Sequence, residues 1–329
     1  MKKRIALVAG GFTGEIVISM KSAETVYNHL DKEKYEVYNI IIDQESWRYI
    51  DENQHSILVD KNDFSILVNG QKIQFDAAFI IIHGSPGEDG KLQGYFDMLN
   101  IPYTTCDAIT SAITMNKAYT KSIIADIDDV YVAKSMQLFD DRKYSNEQIL
   151  SQLKLPLFVK PNNGGSSIGM SKVKEAHELQ EALIKAFKED KQVLVEEFIE
   201  GREFTIGIVK MNNQIKTLPA TEIVSSKEFF DFEAKYTTGV TEEITPGRMT
   251  EEEKLRVEKA MIDIYQRLNC AGVVRIDYIL EGNTNNMYVL EVNTVPGQSQ
   301  NSIIPQQVRA MGGNMKDFYG ALLEEILVK

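Results

Sequence analysis

Residues 271–305, AGVVRIDYILEGNTNNMYVLEVNTVPGQSQNSIIP, constrain this chain more than any other stretch. Two runs rich in β-branched and aromatic residues, GVVRIDYIL and MYVLEVN, flank a Gly/Asn/Thr cluster at 282–286, which predicts an antiparallel hairpin. A turn centred on Thr284 sets Asp277 opposite Glu291 and Arg275 opposite Asn293. Side chains alternate faces along a strand, so all four project from one face, with opposed Cβ atoms about 4.5–5.5 Å apart. Two carboxylates that close repel each other unless a cation lies between them. Oxygen donors from Asp, Glu and Asn, with no His or Cys nearby, suit Mg²⁺ or Mn²⁺ and argue against zinc. An acidic pair on a hairpin is often only a solvated surface feature. Here each acid is set between apolar residues, where unpaired charge is costly to bury. Arg275 shares the face as a planar donor able to hold developing negative charge.

With 329 residues, 43% of them apolar, the chain can build two or three globular cores. A net charge of -12 disfavours general nucleic-acid binding and confines any polyanion site to a local cluster of Lys and Arg. The two cysteines, Cys106 and Cys270, match no metal or redox spacing and read as reduced thiols of a cytosolic protein. MKKRIALVAGG reads as a first strand rather than a signal peptide, because its apolar run is short. AAFIII at 77–82 is far below the roughly 20 residues of a membrane span.

Residues 1–112 predict an α/β unit: the strand RIALVAGG, a helix over SMKSAETVYNHL, the strand YEVYNIIID, a hairpin SILVNGQKIQF turning at Asn69-Gly70, and the strand DAAFIIIH. Strands alternating with helices imply a mostly parallel, doubly wound sheet with ligands at strand carboxyl ends. The Gly10-Gly11…Gly14 loop lacks the dinucleotide spacing and is set aside. The glycine-rich turn from His83 through Glu88 and Asp89 follows AAFIII, where such a sheet places substrate contacts; on the residues alone, His83 either serves there or caps the next helix.

Residues 113–200 read as a second α/β unit. A helix opens at Thr114-Met-Asn-Lys117, followed by the strand YVAKSMQLF, a short helix EQILSQL, the strand LPLFVKP, a helix over KVKEAHELQEALIKAFKED and the strand QVLVEEFIEG. Lys160 and the Gly/Ser loop at 162–169 offer a polyphosphate a point charge and free backbone N–H groups, although an ordinary hairpin tip with a surface lysine would look the same. The Lys precedes the loop, so this is not a Walker A motif. In residues 201–329, REFTIGIVK and QIKTLPATEIV pair across Asn212-Asn213, a polar loop spans 225–247, and TEEEKLRVEKAMIDIYQRL is a scaffold helix. Loops of that length inside compact domains are often active-site lids.

HGSPGEDGKLQGYFD, KPNNGGSSIGM, EEFIEGREFT, FFDFEAKY, VVRIDYIL and LEVNTVPGQSQNSIIP, in this order and approximate spacing, resemble the ATP-grasp ligases and, within them, the D-alanine:D-alanine ligase family over essentially the whole chain. The resemblance implies an α/β (α+β) three-domain ATP-grasp fold, with an amino-terminal doubly wound substrate domain at 1–112 and two subdomains, 113–200 and 201–329, that sandwich ATP. It implies ATP and two Mg²⁺ (or Mn²⁺) ions as cofactors, two D-alanines as substrates, and a role in peptidoglycan precursor synthesis. It also implies a cytoplasmic homodimer, joined through the amino-terminal domain, with no nucleic-acid or membrane partner. Lys117 and Lys160 would bind ATP phosphates, the backbone of Glu197 and Ile199 the adenine, Glu196 would support the base and Glu203 the ribose. Asp277, Glu291 and Asn293 would hold the metals, with Glu291 shared. Arg275 and the Gly297 amide would hold the oxyanion, and Ser302 with the Ile303 amide the second substrate's carboxylate. Lys235 would reach the γ-phosphate, His83 would sit by the first D-alanine, and Ser166 would link the lid residue Tyr236 to the amino-terminal domain.

Some positions depart from the family's pattern. Where the family carries a Glu for the first substrate's ammonium, alignment on Ser19-Met-Lys-Ser22 gives Val17, with Glu15 two residues earlier. Either the loop is remodelled so that Glu15 reaches the same place, or the ammonium is held otherwise. Glu197 stands where Lys is frequent, and Phe230 and Phe232 where Tyr is common. Tyr at 236, rather than Phe, implies a dipeptide product instead of D-alanyl-D-lactate. The competing readings are another ATP-dependent carboxylate ligase, including a D-lactate-using relative, and a non-catalytic nucleotide-binding regulator; loss of Arg275, Lys235 or a metal acid would have pointed to the latter.

Overall fold

The computed structural model describes residues 2–51, 53–139, 144–165, 167–225 and 241–327. Its amino-terminal sheet is built outward from β1 (Lys3–Gly10), which pairs in parallel with β2 (Tyr35–Ile42) and β7 (Ala77–Ile80). Side chains of β1 alternate between two cores. Ile5, Leu7 and Ala9 face Val26 of α1 (Ile16–His29), while Ala6 and Val8 pack with Phe64 and Phe96. Burial on both faces is why RIALVAGG reads as an uninterrupted apolar run. Beyond β2 the sheet continues antiparallel through β3 (Trp47–Ile50), β4 (Ser56–Asp60), β5 (Ser65–Val68) and β6 (Gln71–Ile73). The sheet is therefore mixed rather than mostly parallel, because these connections are too short for crossovers. The Asn69-Gly70 turn has positive φ at both residues, as a two-residue hairpin turn requires.

Helices α2 (Lys91–Leu99), α3 (Ala108–Met115) and α4 (Lys117–Ile124) lead to β8 (Val130–Tyr131) and β9 (Ser135–Phe139). α4 starts at Lys117, with the Asn116 side chain accepting from the Tyr119 N–H, so Thr114 and Met115 close α3 instead of opening α4. The single strand expected over YVAKSMQLF divides: β8 joins the third sheet and β9 the second. The second sheet, in the order β11-β10-β12-β9, also contains β10 (Leu157–Pro161), β11 (Ser171–Val173) and β12 (Gln192–Glu197). One face buries Leu157, Val159, Val193 and Val195 under α5 (Asn146–Leu150) and α6 (Leu179–Glu189). The expected long helix over KVKEAHELQEALIKAFKED yields to β11, a 3-10 turn at Ala176–Glu178 and α6.

The third sheet runs β16-β15-β13-β17-β18-β8, formed by β13 (Gly201–Met211), β15 (Thr221–Ser225), β16 (Thr241–Ile244), β17 (Val273–Glu281) and β18 (Met287–Asn293), with β14 (Gln214–Thr217) also on β13. β14 and β15 were expected as one strand; Pro219, which has no N–H to donate, lies in the break between them. The loop expected over 225–247 is shorter, since Thr241–Ile244 pairs with β15. Val257, Met261 and Ile264 of α7 (Glu251–Arg267) close the core over Ile206, Ile276 and Tyr278, and Thr250 and Glu253 form its capping box. Helices α8 (Ile303–Ala310) and α9 (Met315–Leu327) follow, and Phe318, Leu322 and Leu323 of α9 return to pack with the β1 side chains.

The β17–β18 hairpin carries a register shift. Arg275 faces Asn293 and Asp277 faces Glu291, as expected, but Tyr278 faces Val289 and Leu280 faces Met287, which leaves Leu290 as an extra residue. The turn is thus not centred on Thr284. Met287, Val289 and Val292 are buried while Tyr288, Leu290, Glu291 and Asn293 are not. Without the bulge the register near the turn would drive Glu291 inward and Val292 outward. Ile276 is fully buried between Arg275 and Asp277. Ile276→Ala should lower stability by about 2–5 kcal/mol, measured as a shift in the urea unfolding midpoint.

Candidate active site

A cleft of about 1050 Å³ opens where the three sheets meet. Along the hairpin face, the Arg275 guanidinium donates from Nε and Nη2 to the two Asp277 oxygens at 2.9 and 2.8 Å. Asp277 also accepts from Thr205 Oγ1 and, at 3.3 Å, from Asn293 Nδ2. Lys117 Nζ lies 3.4 Å from Glu291 Oε2. Each of the opposed acids therefore has a fixed cation beside it, Arg275 for Asp277 and Lys117 for Glu291. Burial works against the charge on Arg275, yet Asp277 outweighs it and raises the guanidinium above its usual range.

The turn after β7 clamps the chain that follows β18. His83 Nδ1 lies 2.6 Å from the Val295 carbonyl, which only accepts, so Nδ1 carries the proton and Nε2 accepts from Ser22 Oγ at 3.3 Å. Burial lowers the His83 pKa and favours this neutral ring. Ser22 Oγ also accepts the Gln298 N–H at 3.0 Å. Glu88 accepts the Gly84 and Val295 N–H groups at 2.7 and 2.9 Å. Its pKa is pushed up to about 7, chiefly by burial and then by Glu15, against those two donors. His83 does not cap α2, which begins after Gly90.

Glu15, immediately before α1, lines the cleft and reaches between Gly84 and Gly165. Val17 is 58% exposed and outside the lining, so the carboxylate that faces the cleft is Glu15. Opposite, Ser302 stands at the start of α8 with its Oγ 2.7 Å from Ser299 Oγ, and Gly297, Ser302 and Ile303 line the cleft. A Cβ on Gly297 would lie 2.9 Å from Ser302 Oγ, so glycine is what lets this loop pass so close. The first turn of a helix offers free N–H groups and positive potential to an anion.

Lys117 Nζ also donates to the Gly164 carbonyl in the loop after β10, and Glu203 on β13 lines the cleft. Lys160, Glu196, Glu197 and Ile199 are not part of the lining. Lys160 donates to Glu196 Oε1, and Glu196 Oε2 takes Lys121. Burial would raise the Glu196 pKa, but Lys121 and Lys160 prevail and hold it at about 2. The Glu197 carboxylate accepts the Lys154 N–H at 2.9 Å and its own N–H donates to the Lys134 carbonyl at 3.0 Å, while Ile199 lies half-buried between β12 and β13. Lys121 and Ser22 had no role from the sequence, and Glu88 was read only as part of the turn that places substrate contacts. Lys121 had one available signal, its i,i+4 spacing from Lys117 on a helix.

The profile described as "D-ala D-ala ligase C-terminus" matches residues 125–324, and "D-ala D-ala ligase N-terminus" matches 4–106. A protein of Parabacteroides distasonis named D-alanine–D-alanine ligase is 45% identical over 99% of this chain and 98% of its own length. The chain belongs to the D-alanine–D-alanine ligase family. A relative of the same name from Flavobacterium johnsoniae is 41% identical over 98% of each chain. Among solved structures, the D-Ala:D-Ser ligase VanG of Enterococcus faecalis superposes with a TM-score of 0.87 at 29% identity, covering 98% of this chain and 99% of that one. The D-alanine–D-alanine ligase of Bacillus anthracis complexed with ATP gives 0.77 at 29% identity over 99% and 97%. The ATP-grasp fold expected of the family is thus the fold found.

Ser166, Lys235 and Tyr236, with Phe230 and Phe232, lie outside the described residues. Among the described residues, no group of three or more His, Cys, Asp or Glu side chains forms a metal cage. Two carboxylates and one amide remain, oxygen donors that suit a cation keeping part of its shell for water and phosphate, as Mg²⁺ does.

Glu88 predicts a pH effect. Between pH 4.5 and about 7, a carboxyl raised from 4.5 to about 7 is protonated in the folded chain while ionised in the unfolded one, so its contribution is full below pH 4.5 and lost as pH rises through about 7. Glu88→Gln should flatten that decline in Tm between pH 4.5 and 7, measured by thermal melts in matched ionic strength.

Proposed function

We propose that this chain joins two D-alanines into D-alanyl-D-alanine at the expense of ATP, in the cytoplasm, for peptidoglycan precursor synthesis. The observation that carries the reading is a single cleft uniting a lysine-backed glycine loop, an opposed acid pair beside Arg275, and a helix amino terminus. Asp277, Glu291 and Asn293 would hold two Mg²⁺ ions, which neutralise phosphoryl charge when bound. Lys117 and Lys160 hold the phosphates, with Lys235 closing over the γ-phosphate. Glu196, Glu203 and the backbone of Glu197 and Ile199 serve the nucleoside.

The first D-alanine lies with its ammonium toward Glu15 and beside the His83 turn. Its carboxylate attacks the γ-phosphorus, the bond to the β–γ bridging oxygen breaks, and ADP leaves an acyl phosphate. The second D-alanine, its carboxylate on the Ser302 hydroxyl and Ile303 N–H, attacks the acyl carbon with its neutral amine. Arg275 and the Gly297 N–H stabilise the resulting oxyanion, which collapses by expelling phosphate as the new amide nitrogen gives up its extra proton to that leaving phosphate. Ser166 links the lid residue Tyr236 to the amino-terminal domain, the closed lid shields the acyl phosphate from water, and Tyr236 favours an amine over D-lactate as the second nucleophile. The working division is 1–112, 113–200 and 201–329, and two chains pair through the first of these, where Leu58, Leu67 and Met98 leave apolar surface exposed.

Phosphate release from MgATP tests the reading. Release with D-alanine, none with L-alanine, and a product mass of D-alanyl-D-alanine are expected; substantial D-alanyl-D-lactate when D-lactate is added would overturn the meaning given to Tyr236. Glu291→Gln should reduce turnover by about a hundredfold or more while the fold persists by circular dichroism. Near-normal turnover would refute a metal bridge at Glu291.

A further inference from the structure

Lys121 has no role in the reaction as described, yet it is among the most deeply placed cations of the site, with its side chain 6% exposed. It meets Glu196 Oε2, while Lys160, 11% exposed, meets Oε1 of the same carboxylate, itself 4% exposed. Each oxygen thus has its own lysine partner; with both lysines charged the triad carries one positive charge in excess, and burial, with Lys160 and Lys117 nearby, lowers the Lys121 pKa against the pull of Glu196. Such a surplus is unfavourable away from water unless an anion arrives.

The two lysines reach Glu196 from different elements. Lys160 faces Leu194 and Phe158 faces Glu196, so Lys160 crosses to Glu196 on a diagonal of one sheet face. Lys121 comes from α4, one turn after Lys117, whose ammonium holds the Gly164 carbonyl and lies beside Glu291. One helix face therefore ties the glycine loop, the acid pair and Glu196 together.

We propose that Lys121 is a positioning residue, the fixed counter-ion of Glu196 that leaves Lys160 able to exchange this carboxylate for a nucleotide phosphate. The inference rests on the reading of Lys160 as a phosphate ligand. With Lys160 as its only partner, Glu196 would be left as an unpaired buried carboxylate on the exchange, which opposes it strongly. With Lys121 in place, the departure leaves a neutral Lys121–Glu196 pair, and the surplus charge meets the phosphate. No proton moves.

The test is calorimetric binding of MgATP, MgADP and adenosine to the full chain and its variants, with the ratio of nucleotide to adenosine affinity as the readout. Lys121→Met should lower that ratio by about tenfold, because Lys160 is then captured by Glu196. Lys121→Arg should keep it. Adding Glu196→Gln to Lys121→Met should restore most of the ratio, since an amide releases Lys160; a purely structural lysine would show no such rescue. If Lys121→Met does not fold, Lys121→Gln carries the same comparison, with a lowered ratio expected. An unchanged ratio in the folded variant, or no recovery in the double variant, overturns the proposal. Lys160→Met with an undiminished ratio would instead overturn the phosphate role of Lys160 itself.

Discussion

Two carboxylates facing each other on half-buried strands need positive charge close by, and the whole site is arranged around supplying it. Asp277 draws Arg275 from its own strand, two residues away on the same face. Glu291 draws Lys117 from a helix that follows the amino-terminal sheet in the chain. The first pairing is local and follows from strand alternation. The second exists only because α4 is carried to the hairpin, and it fixes the position of the glycine loop through Gly164.

A second constraint acts on the backbone between β18 and α8. Val295 gives its N–H to Glu88 and its carbonyl to His83, and the Gln298 N–H goes to Ser22. Three side chains of the amino-terminal region thereby hold the segment containing Gly297, which in turn leaves space for Ser302. A loop that crosses a cleft is ordinarily adaptable. This one is held by hydrogen bonds away from the reacting positions, so its N–H groups are oriented before any substrate enters.

The overall charge of -12 hides a local reversal. Lys117, Lys121 and Lys160 converge with two acids, Glu196 and Glu291, between them. An acidic chain thus gathers positive charge by burying lysines against carboxylates instead of displaying a basic surface.

Local pattern was sufficient for the hairpin, for the Asp277–Glu291 and Arg275–Asn293 pairings, for the Asn69-Gly70 turn and for α7 with its cap. The Asn69-Gly70 turn and the start of α7 depend on residues within a few positions of one another, where turn chemistry and capping act; the two pairings match because the bulge at Leu290 offsets a turn that is not centred on Thr284. The family's order of motifs also named part of the cleft lining, from Glu15 and His83 to Ile303, whereas Lys160, Glu196, Glu197 and Ile199 lie outside that lining. The bulge at Leu290 was legible in principle, since Met287, Val289 and Val292 break the two-residue period, but a symmetric turn concealed it. Other features were settled only by tertiary structure. Pro219 split one strand, β8 left its neighbours to join β18, and Glu15, not Val17, came to line the cleft. The clamp by Ser22, His83 and Glu88, and the burial of Glu196 between Lys121 and Lys160, join residues from dozens to hundreds of positions apart. No periodicity encodes such contacts, because they arise where separately folded surfaces meet and buried charges must find partners.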